Sequence, residues 1–436
     1  MSAVSTLPES PARPLPAELV ADVDRLVDAD TERLIDLFKD IHRNPELGFM
    51  EVQTARLVEL NLQNLGFDIT KGIGTTGIAA IYRNGDGPVV MYRADMDALA
   101  VQEETDVDYA SDKRVRLEDG TEVPVAHVCG HDAHVTWMLG MAHALLNLKD
   151  RWSGTLVLIG QPAEEPITGA AAMVDDGLYN FIPKPDVFIG MHTTPLPVGT
   201  VVSSPGTRMA GTDQLDILFH GVGGHGSMPH LAKDPVLMSA LAVTEYQTIV
   251  SRMVDPQQTA VLTVGAIAAG STNNVIPATA LVKANLRWFD PAVRTVMLEA
   301  IEAVSDGVAR TYGMPEDKLP EIIMKGGSSP LINSPELSAQ MATSLAAVIG
   351  DDRVITDMPR TTGSEDVQIL KGPYPDMPFN YLLVGIADPE VFAAAAARGL
   401  QAPFSPHNPN YLVDLSAIGY GTKIAAYAML GLLARS

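Results

Sequence analysis

The sequence predicts a mixed α/β protein in which a smaller, ferredoxin-like α+β domain is inserted into a larger domain with a largely parallel sheet. Three observations support this. The 436 residues exceed one ordinary compact core. Short apolar runs alternate with helical spacing before Pro205, and the pattern changes after it. The first pattern then returns from about Ser328. We therefore expect the larger domain to comprise residues 18–205 and 327–436, and the inserted domain to comprise residues 206–326.

The predicted elements of the larger domain follow a Pro- and Ser-rich segment, residues 1–17, which we expect to be a loose tail. Helical spacing runs from Ala17 to about Leu65, and Gly66 is a typical helix stop. An apolar helix face follows at residues 135–146. Apolar runs typical of buried strands are Gly77–Arg83, Pro88–Arg93, Thr155–Gly160 and Asp186–Met191. Three of these strands lead into the polar segments ADMD, QPAEE and MHTT, which predicts a ligand site at their carboxyl ends.

The inserted segment has the element order β-α-β-β-α-β. Its predicted strands and helices are, in order, Gln214–Phe219, Pro235–Val250, Ala260–Ile267, Leu281–Trp288, Ala292–Tyr312 and Glu321–Met324. This order is typical of a ferredoxin-like unit.

The net charge and the cysteine content restrict the possible binding partners and the cellular compartment. The formal net charge of -23 argues against a nucleic-acid-binding surface, which depends on Lys and Arg contacts to phosphates. Cys129 is the sole cysteine, so no intramolecular disulfide can form, which fits a reducing compartment. We see neither a signal peptide nor an apolar run of the roughly 20 residues that span a bilayer. We therefore expect a cytoplasmic protein with no membrane partner.

The strongest local cluster of reactive side chains is AHVCGHDAH, residues 126–134. Thiolate and imidazole groups both bind zinc-class metals. Cys129 and His131 are two positions apart, so in an extended segment they would point to the same side. A buried cysteine beside surface histidines is the structural alternative, and the cluster alone does not decide between the two.

Further candidate ligands lie at predicted strand ends or in loops: Glu164 and Glu165 in QPAEE, His192 after DVFIGM, and His407 in SPHNPN. Each alone is more typical of a structural or surface residue. Together they suggest a centre of two metal ions. Its five candidate ligands are Cys129, His131, Glu165, His192 and His407. Glu164 would then be the remaining carboxylate that accepts a proton from the attacking water.

Ten segments, in their order and spacing, resemble the M20 metallopeptidases, and in particular the N-acyl-amino-acid amidohydrolases that include hippurate hydrolases and auxin-conjugate hydrolases. The segments are IHRNPELGFMEVQTA (41–55), GIGTTGIAA (72–80), YRADMDAL (92–99), CGHDAH (129–134), QPAEE (161–165), MHTTPLPVGTV (191–201), GGHGSMPH (223–230), NNVIP (273–277), GSED (363–366) and HNPNY (407–411). The resemblance covers nearly the whole chain from about residue 30.

The resemblance implies a role for each candidate. The same five side chains would bind two divalent metal ions; Cys and His favour zinc, while the carboxylates also admit manganese or cobalt. Glu164 would be the general base, and Asp97 would orient a ligand histidine. His225 would stabilise the oxyanion, commonly in the active site of a partner subunit, so we expect a homodimer or a higher homo-oligomer formed through the inserted lid and dimerisation domain. Asn274 and Arg287 would hold the substrate carboxylate.

The structural alternatives for these last residues are simple. Asn274 would only shape the turn before Pro277, Arg287 would be an exposed strand residue, and His225 would belong to a glycine-rich loop.

The expected activity is hydrolysis of the amide bond of a small-molecule N-acyl amino acid, or a related conjugate, to a carboxylic acid and a free amino acid. Four alternatives stay open: a dipeptidase or carboxypeptidase, a cysteine hydrolase with Cys129 as nucleophile, a non-catalytic binder, and a homodimeric scaffold. Several positions differ from what is common among such proteins, and they would alter the pocket: Ala100, residues 126–128 and 166–168, and the long segment 111–124.

Overall fold

The computed structural model describes residues 13–435, so residues 1–12 of the predicted tail lie outside the described residues. The described chain forms two compact units. The first unit contains the residues up to Arg208, Ile332–Pro359 and the residues from Asp366 onwards. The second unit contains Met209–Leu331 and Arg360–Glu365.

The helices and strands are numbered in chain order. The α-helices are α1 (Ala17–Arg43), α2 (Val52–Asn64), α3 (His131–Asn147), α4 (Gly169–Asp175), α5 (Pro235–Thr248), α6 (Pro291–Thr311), α7 (Pro335–Ile349), α8 (Pro389–Ala397) and α9 (Ser416–Leu433). The strands are β1 (Asp68–Ile73), β2 (Gly77–Asn84), β3 (Val89–Asp95), β4 (Arg114–Arg116), β5 (Glu122–Pro124), β6 (Gly154–Gln161), β7 (Val187–Pro197), β8 (Val201–Val202), β9 (Gly206–Met209), β10 (Gly211–His220), β11 (Gly224–His225), β12 (Ala260–Ala269), β13 (Val275–Ile276), β14 (Thr279–Trp288), β15 (Glu321–Ser328), β16 (Leu331–Asn333), β17 (Val354–Ile355) and β18 (Phe379–Ala387).

The first unit is built on an eight-stranded sheet with the order β1-β2-β6-β3-β7-β18-β8-β17. Its centre is parallel: β6 pairs with β3, β3 with β7 and β7 with β18. The outer pairs β1–β2, β2–β6 and β8–β18 are antiparallel. The predicted mixed, largely parallel α/β class is confirmed. Because the central strands are parallel, the carboxyl ends of β3, β6 and β7 meet at one edge.

Helices α1, α3 and α9 pack together in the main core of this unit. Helix α3 is buried on nearly every side, which explains why its sequence is apolar around most of its circumference. The indole N–H of Trp137 donates to the carbonyl oxygen of Ala417 at 3.0 Å, so the polar atom of this buried ring is satisfied. This packing fixes α3, whose first residue is His131.

The segment with predicted helical spacing, from Ala17 to about Leu65, forms two helices in the structure. The chain leaves α1 at Asn44 because Pro45 has no N–H to continue the helix and disfavours helical geometry in the residue before it. It re-enters a helix at Val52. Gly66 has φ +86°, a left-handed conformation in which glycine carries no steric penalty, so the predicted stop is confirmed.

The second unit has the element order β10-α5-β12-β14-α6-β15 and a fully antiparallel sheet with the order β12-β14-β10-β15. This is the predicted β-α-β-β-α-β order. The carboxylates of Asp234 and Asp290 accept the backbone N–H of Val236 and Ala292, and a proline follows each, so both helices begin at strong start signals. Its separate core is formed by the buried faces of the sheet and the two helices.

Among the described helices, none combines the length and the apolar character that crossing a membrane would need.

Candidate metal centre

The start of α3 brings Cys129 and His131 to the carboxyl edge of the parallel strands. Gly130 separates them and has φ +87°. A Cβ atom on Gly130 would lie 2.6 Å from Oγ1 of Thr193, so only glycine fits this close approach to β7. His192 also lies on β7, and its Nε2 is 3.5 Å from Sγ of Cys129.

The five residues predicted as ligands lie in one cluster of the first unit. Ligand atoms of Cys129, His131 and Glu165 all lie within 4.8 Å of one another. Nε2 of His407 is 3.3 Å from Oε2 of Glu165, and the short distance between Cys129 and His192 connects the fifth residue. The backbone N–H of His407 donates to the carbonyl oxygen of Val128 at 2.8 Å, which holds the C-terminal loop beside the start of α3.

Asp97 determines how the His131 ring is oriented. Nδ1 of His131 lies 2.9 Å from the backbone carbonyl oxygen of Asp97, an acceptor only, so Nδ1 carries the proton. Oδ2 of Asp97 accepts the backbone N–H of Glu165 at 3.0 Å. Asp97 therefore connects His131 and Glu165, and Nε2 of His131 presents its lone pair to the cluster.

The atoms facing that lone pair are carboxylate oxygens. Nε2 of His131 is 3.5 Å from Oδ2 of Asp95, 3.8 Å from Oε2 of Glu164 and 3.9 Å from Oε1 of Glu165. Within the described residues, Nε2 of His131 and Oε1 of Glu165 are buried and have no hydrogen-bond partner. Buried polar atoms in proteins are nearly always satisfied. Electron pairs that converge without a donor between them are the arrangement that a divalent cation stabilises, so these residues fit a metal centre.

The electrostatics of the cluster agree with this. Burial raises the pKa of Glu165 to about 8, with a further contribution from the charge of Asp97. Burial would lower the pKa of His131, but the charges of Asp95 and Asp97 outweigh it and raise it to about 10. Without a metal ion, both groups therefore tend to hold a proton at neutral pH, because negative charge is concentrated in a region shielded from water. A divalent cation would replace these protons and bind the lone pairs that they occupy.

Asp95 lines the site and was missed by sequence reasoning, which identified only Asp97 in ADMD. Burial would raise the pKa of Asp95, but Arg93 and the neighbouring histidines hold it well below its usual range. The Arg93 guanidinium donates to Asp95 at 2.6 Å, and both residues are fully buried. The available signal was the two-residue period of a strand, which places Arg93 and Asp95 on the same side.

His134 also lies in the cluster, yet both of its ring nitrogens are engaged. Nε2 accepts the backbone N–H of Thr193 at 2.8 Å, so Nδ1 carries the proton and donates to Asp95 at 2.5 Å. Burial lowers the pKa of His134, which agrees with a neutral ring. His134 therefore has no lone pair to give to a metal and supports the neighbouring strand instead.

Glu164 is almost completely buried and follows the carboxyl end of β6. Its backbone carbonyl accepts the N–H of Ile167 at 2.6 Å in a tight turn. The residue before it, Ala163, has φ +46°. Glu164 is thus fixed on a short, constrained turn beside the predicted ligands.

The remaining predicted residues lie in the second unit. His225 pairs with Val275 across the short β11–β13 ladder, and the N–H of Gly226 donates to the carbonyl of Asn274 at 2.8 Å, so His225 and Asn274 are close together. Nδ1 of His225 accepts the backbone N–H of Ser227 at 3.1 Å, which places the ring proton on Nε2.

Arg287 lies on β14, on the sheet face opposite the buried residues of that strand. Its Nε donates to Oδ1 of Asn285 at 2.8 Å, and the Asn285 amide donates to Oγ1 of Thr212 at 3.0 Å. The guanidinium is therefore oriented by neighbouring side chains of the same sheet.

The chain is also similar in sequence and in structure to known proteins. The family model described as peptidase family M20/M25/M40 matches residues 91–429. A hippurate hydrolase from Campylobacter jejuni is 40% identical over 274 residues, which cover 62% of this chain and 68% of that protein. An N-acetyl-L-cysteine deacetylase from Bacillus subtilis is 32% identical over 389 residues, covering 89% of this chain and 85% of that protein. The crystal structure of a dinuclear metal-binding peptidase of the M20 family from Bacillus subtilis has a TM-score of 0.68 and 26% identity, covering 93% of this chain and 99% of that one.

Proposed function

Because the chain belongs to peptidase family M20/M25/M40, and is accordingly a hydrolase of amide bonds, we propose that it cleaves N-acyl amino acids or related conjugates to a carboxylic acid and a free amino acid. The observation that carries this proposal is the buried carboxylate of Glu164, 3.8 Å from His131 and beside the converging predicted ligands. The names of the hippurate hydrolase and the N-acetyl-L-cysteine deacetylase, both of which act on N-acyl amino acids, support the substrate class.

The five clustered residues are proposed to hold two divalent metal ions: Cys129, His131, Glu165, His192 and His407. The similarity to a dinuclear metal-binding peptidase and the unsatisfied atoms of His131 and Glu165 support this. The donor set favours zinc and also admits manganese or cobalt. When bound, such ions lower the pKa of a coordinated water and polarise the amide carbonyl.

Residues of the chain would transfer the proton and stabilise the negative charge that develops on the substrate. Glu164 accepts a proton from the attacking water and returns it to the leaving amine. Asp97 keeps the proton of His131 on Nδ1. Nε2–H of His225 donates to the carbonyl oxygen as negative charge develops there, an interaction worth about 3–4 kcal/mol for a well-placed donor. Arg287 and Asn274 bind the substrate carboxylate, for which the planar guanidinium fork is suited.

We further propose that residues 206–326 form a ferredoxin-like lid and dimerisation domain, between the two parts of the catalytic domain (18–205 and 327–436). The element order β-α-β-β-α-β supports the ferredoxin-like assignment. Strand β12 is at the edge of the sheet, and apolar side chains such as Ile267 are exposed along it. An exposed apolar edge strand favours pairing with a second copy, so we propose a homodimer. We also propose a cytoplasmic location, because Cys129 must stay reduced to bind a metal ion and the cytoplasm keeps thiols reduced.

One observation favours a second candidate, a cysteine hydrolase. Nδ1 of His192 lies 2.7 Å from the carbonyl oxygen of Thr193, so its proton is on Nδ1, and Nε2 lies 3.5 Å from Sγ of Cys129. A thiol beside an imidazole nitrogen that can accept its proton is also the arrangement of a nucleophilic pair. Metal dependence distinguishes the two mechanisms.

The deciding experiment measures free amine released from a panel of N-acyl amino acids and dipeptides, with the protein stripped by a chelator and then reloaded with zinc, manganese or cobalt. We expect activity that is lost on stripping and restored by metal, with N-acyl amino acids hydrolysed faster than dipeptides. Full activity of the stripped protein would instead support the cysteine mechanism. Faster hydrolysis of dipeptides would change the proposed substrate class to peptides.

A further inference from the structure

Glu51 is a buried carboxylate whose hydrogen bonds within residues 13–435 come from neutral donors. It is 0% exposed. Its Oε2 accepts the hydroxyl proton of Thr76 at 2.6 Å, and its Oε1 accepts the backbone N–H of Ala163 at 2.8 Å. Burying a carboxylate with only neutral donors is unfavourable, and burial raises the pKa of Glu51 to about 7. Such a group requires an explanation.

Helix capping does not supply that explanation. Glu51 is the residue immediately before α2, where a carboxylate commonly accepts the first free amides of the helix. Here those amides, of Gln53 and Thr54, donate to Oε2 of Glu46, both at 2.9 Å. The Glu51 side chain makes no such bond and reaches a different segment, 112 residues away in sequence.

That segment is the turn that carries Glu164. Ala163 has φ +46°, a left-handed conformation that is unfavourable for a residue with a Cβ atom. The turn is closed by the N–H of Gly169, which donates to the Ala163 carbonyl at 2.9 Å. Gly48 leaves room for it, since a Cβ atom there would lie 3.1 Å from Cα of Ala163. The conformation of Ala163 sets the direction in which the next residue, Glu164, leaves the backbone.

We propose that Glu51 is a positioning residue: by binding the Ala163 amide, its carboxylate holds the left-handed turn and so aims the side chain of Glu164. The inference rests on the proposed role of Glu164 as the base. Asp97 makes the corresponding contact on the other side, where it accepts the N–H of Glu165. The backbone amides on both sides of the base are thus bound by buried carboxylates that come from other parts of the chain.

The separate contacts of Glu51 with Ala163 and of Asp97 with Glu165 predict which kinetic parameter changes when Glu51 is replaced. The amide of Glu165 is bound by Asp97 and not by Glu51, so we expect metal binding to be retained when Glu51 is changed. Substrate binding is also retained, because the proposed carboxylate-binding residues lie elsewhere in the chain. Only proton transfer by Glu164 is impaired, and a displacement of about 1 Å can reduce the rate by about 100-fold. The loss therefore falls on kcat and leaves KM and metal content unchanged.

The test compares three substitutions in the full-length, metal-loaded protein. Glu51→Leu removes the acceptor. Glu51→Gln keeps an acceptor for Ala163 and can donate to Thr76. Glu51→Asp keeps the charge but is one methylene too short to make the same contact. We expect Glu51→Leu and Glu51→Asp to lower kcat by about 10- to 100-fold at unchanged KM and metal content, and Glu51→Gln to keep kcat within about threefold of the wild-type value.

Glu46→Ala is the matched control. It removes the neighbouring capping carboxylate, so it should lower Tm while kcat stays within about twofold.

The possible results distinguish a failure of the inference about Glu51 from a failure of the proposed role of Glu164. A wild-type kcat for Glu51→Leu, or a kcat of Glu51→Gln as low as that of Glu51→Asp, would overturn the inference. If Glu51→Leu does not fold, the order of Gln and Asp still decides, because a purely electrostatic role predicts the reverse order. Glu164→Gln is measured in the same assay. Full activity of that variant would remove the proposed base and the inference with it, whereas an inactive Glu164→Gln beside a fully active Glu51→Leu would overturn the inference alone.

Discussion

Nδ1 of His131 donates to the backbone oxygen of Asp97 at 2.9 Å, and this bond leaves the Nε2 lone pair facing a group of carboxylates. The Asp97 side chain lies 3.2 Å from the same nitrogen and also binds the amide of Glu165. One residue thus orients two proposed ligands, and its removal should loosen both. The consequence for metal binding can be measured directly.

We predict that Asp97→Ala weakens metal affinity by about 10- to 100-fold, the usual effect of losing a residue that orients a ligand histidine. Competition with a chromogenic chelator measures the affinity without any reaction. Asp97→Asn should lose less, because its side-chain oxygen can still accept the Glu165 amide. Asp106→Ala, an exposed carboxylate in the following loop, is the control and should bind metal normally. Unchanged affinity in Asp97→Ala would contradict the proposed ligand geometry.

Substitutions of the adjacent residues Glu164 and Glu165 should have different effects on kcat and on metal content. Glu164→Gln removes the base but none of the proposed ligands, so we expect kcat to fall by at least about 100-fold while metal content is retained. Glu165→Gln removes a ligand, so metal content itself should fall. Metal analysis of dialysed protein beside steady-state kinetics separates the two. Loss of metal from both variants to the same degree would mean that Glu164 is also a ligand.

Sequence reasoning located most of these residues because their backbone positions follow simple patterns. Apolar runs marked β3, β6 and β7, and the polar residues after them meet because parallel strands end at one edge. The break between α1 and α2 has a local cause, Pro45, which helical spacing on either side of it does not mark. Other features depend on tertiary contacts. Glu51 precedes a helix and looks like a capping residue, and only the fold shows that it binds Ala163 instead.

The roles of individual residues are harder to predict than their location. His131 and His134 are three positions apart in one motif, but the amide of Thr193 occupies Nε2 of His134 and no hydrogen bond occupies that of His131. The sequence does not show which nitrogen a distant amide will reach. The assignments of His225, Asn274 and Arg287 stay predictions, as do the domain boundaries.

Replacing Cys129 should distinguish the metal mechanism from the cysteine mechanism. Aspartate can bind a divalent metal in place of a thiolate but is a poor substitute for a thiol nucleophile. We predict that Cys129→Asp retains metal-dependent hydrolysis at least about tenfold above Cys129→Ala. The comparison uses metal-reloaded protein and the best substrate of the panel. Equal inactivity of both variants at full metal occupancy would favour Cys129 as the nucleophile.

His42 predicts a specific pH dependence of stability. It lies between two buried carboxylates, with Nδ1 2.6 Å from Asp132 and Nε2 3.1 Å from Glu103. Burial would lower the pKa of His42, but these hydrogen bonds outweigh it and raise it from 6.5 to about 9. A histidine whose pKa is raised by folding contributes stability that is fully present below its unfolded pKa and lost as the pH rises through the folded value.

The contribution of His42, on the order of 3 kcal/mol, should therefore disappear between about pH 6.5 and pH 9. Thermal unfolding of the wild type and of His42→Gln over this range measures it. We expect the difference in Tm between the two proteins to be largest at pH 6 and to shrink towards pH 9.5. His220→Gln, which affects a pair with the exposed Glu321, is the control and should show little dependence. A constant difference across the range would mean that His42 is neutral in the folded protein.

The exposed edge of the second unit leads to a prediction about assembly. Strand β12 pairs with β14 on one side only, and Ile267 on it is 47% exposed. If two copies join along this edge, a lysine there would place an unpaired charge in an apolar contact, which is strongly unfavourable. We predict that Ile267→Lys shifts the protein from dimer to monomer in sedimentation velocity at micromolar concentration. Val391→Lys on α8 of the first unit, at a site 52% exposed, adds the same charge outside the inserted domain and should leave the dimer intact. If Ile267→Lys stays dimeric while Val391→Lys dissociates, the contact must involve α8, and the dimerisation role of the inserted domain would have to be abandoned.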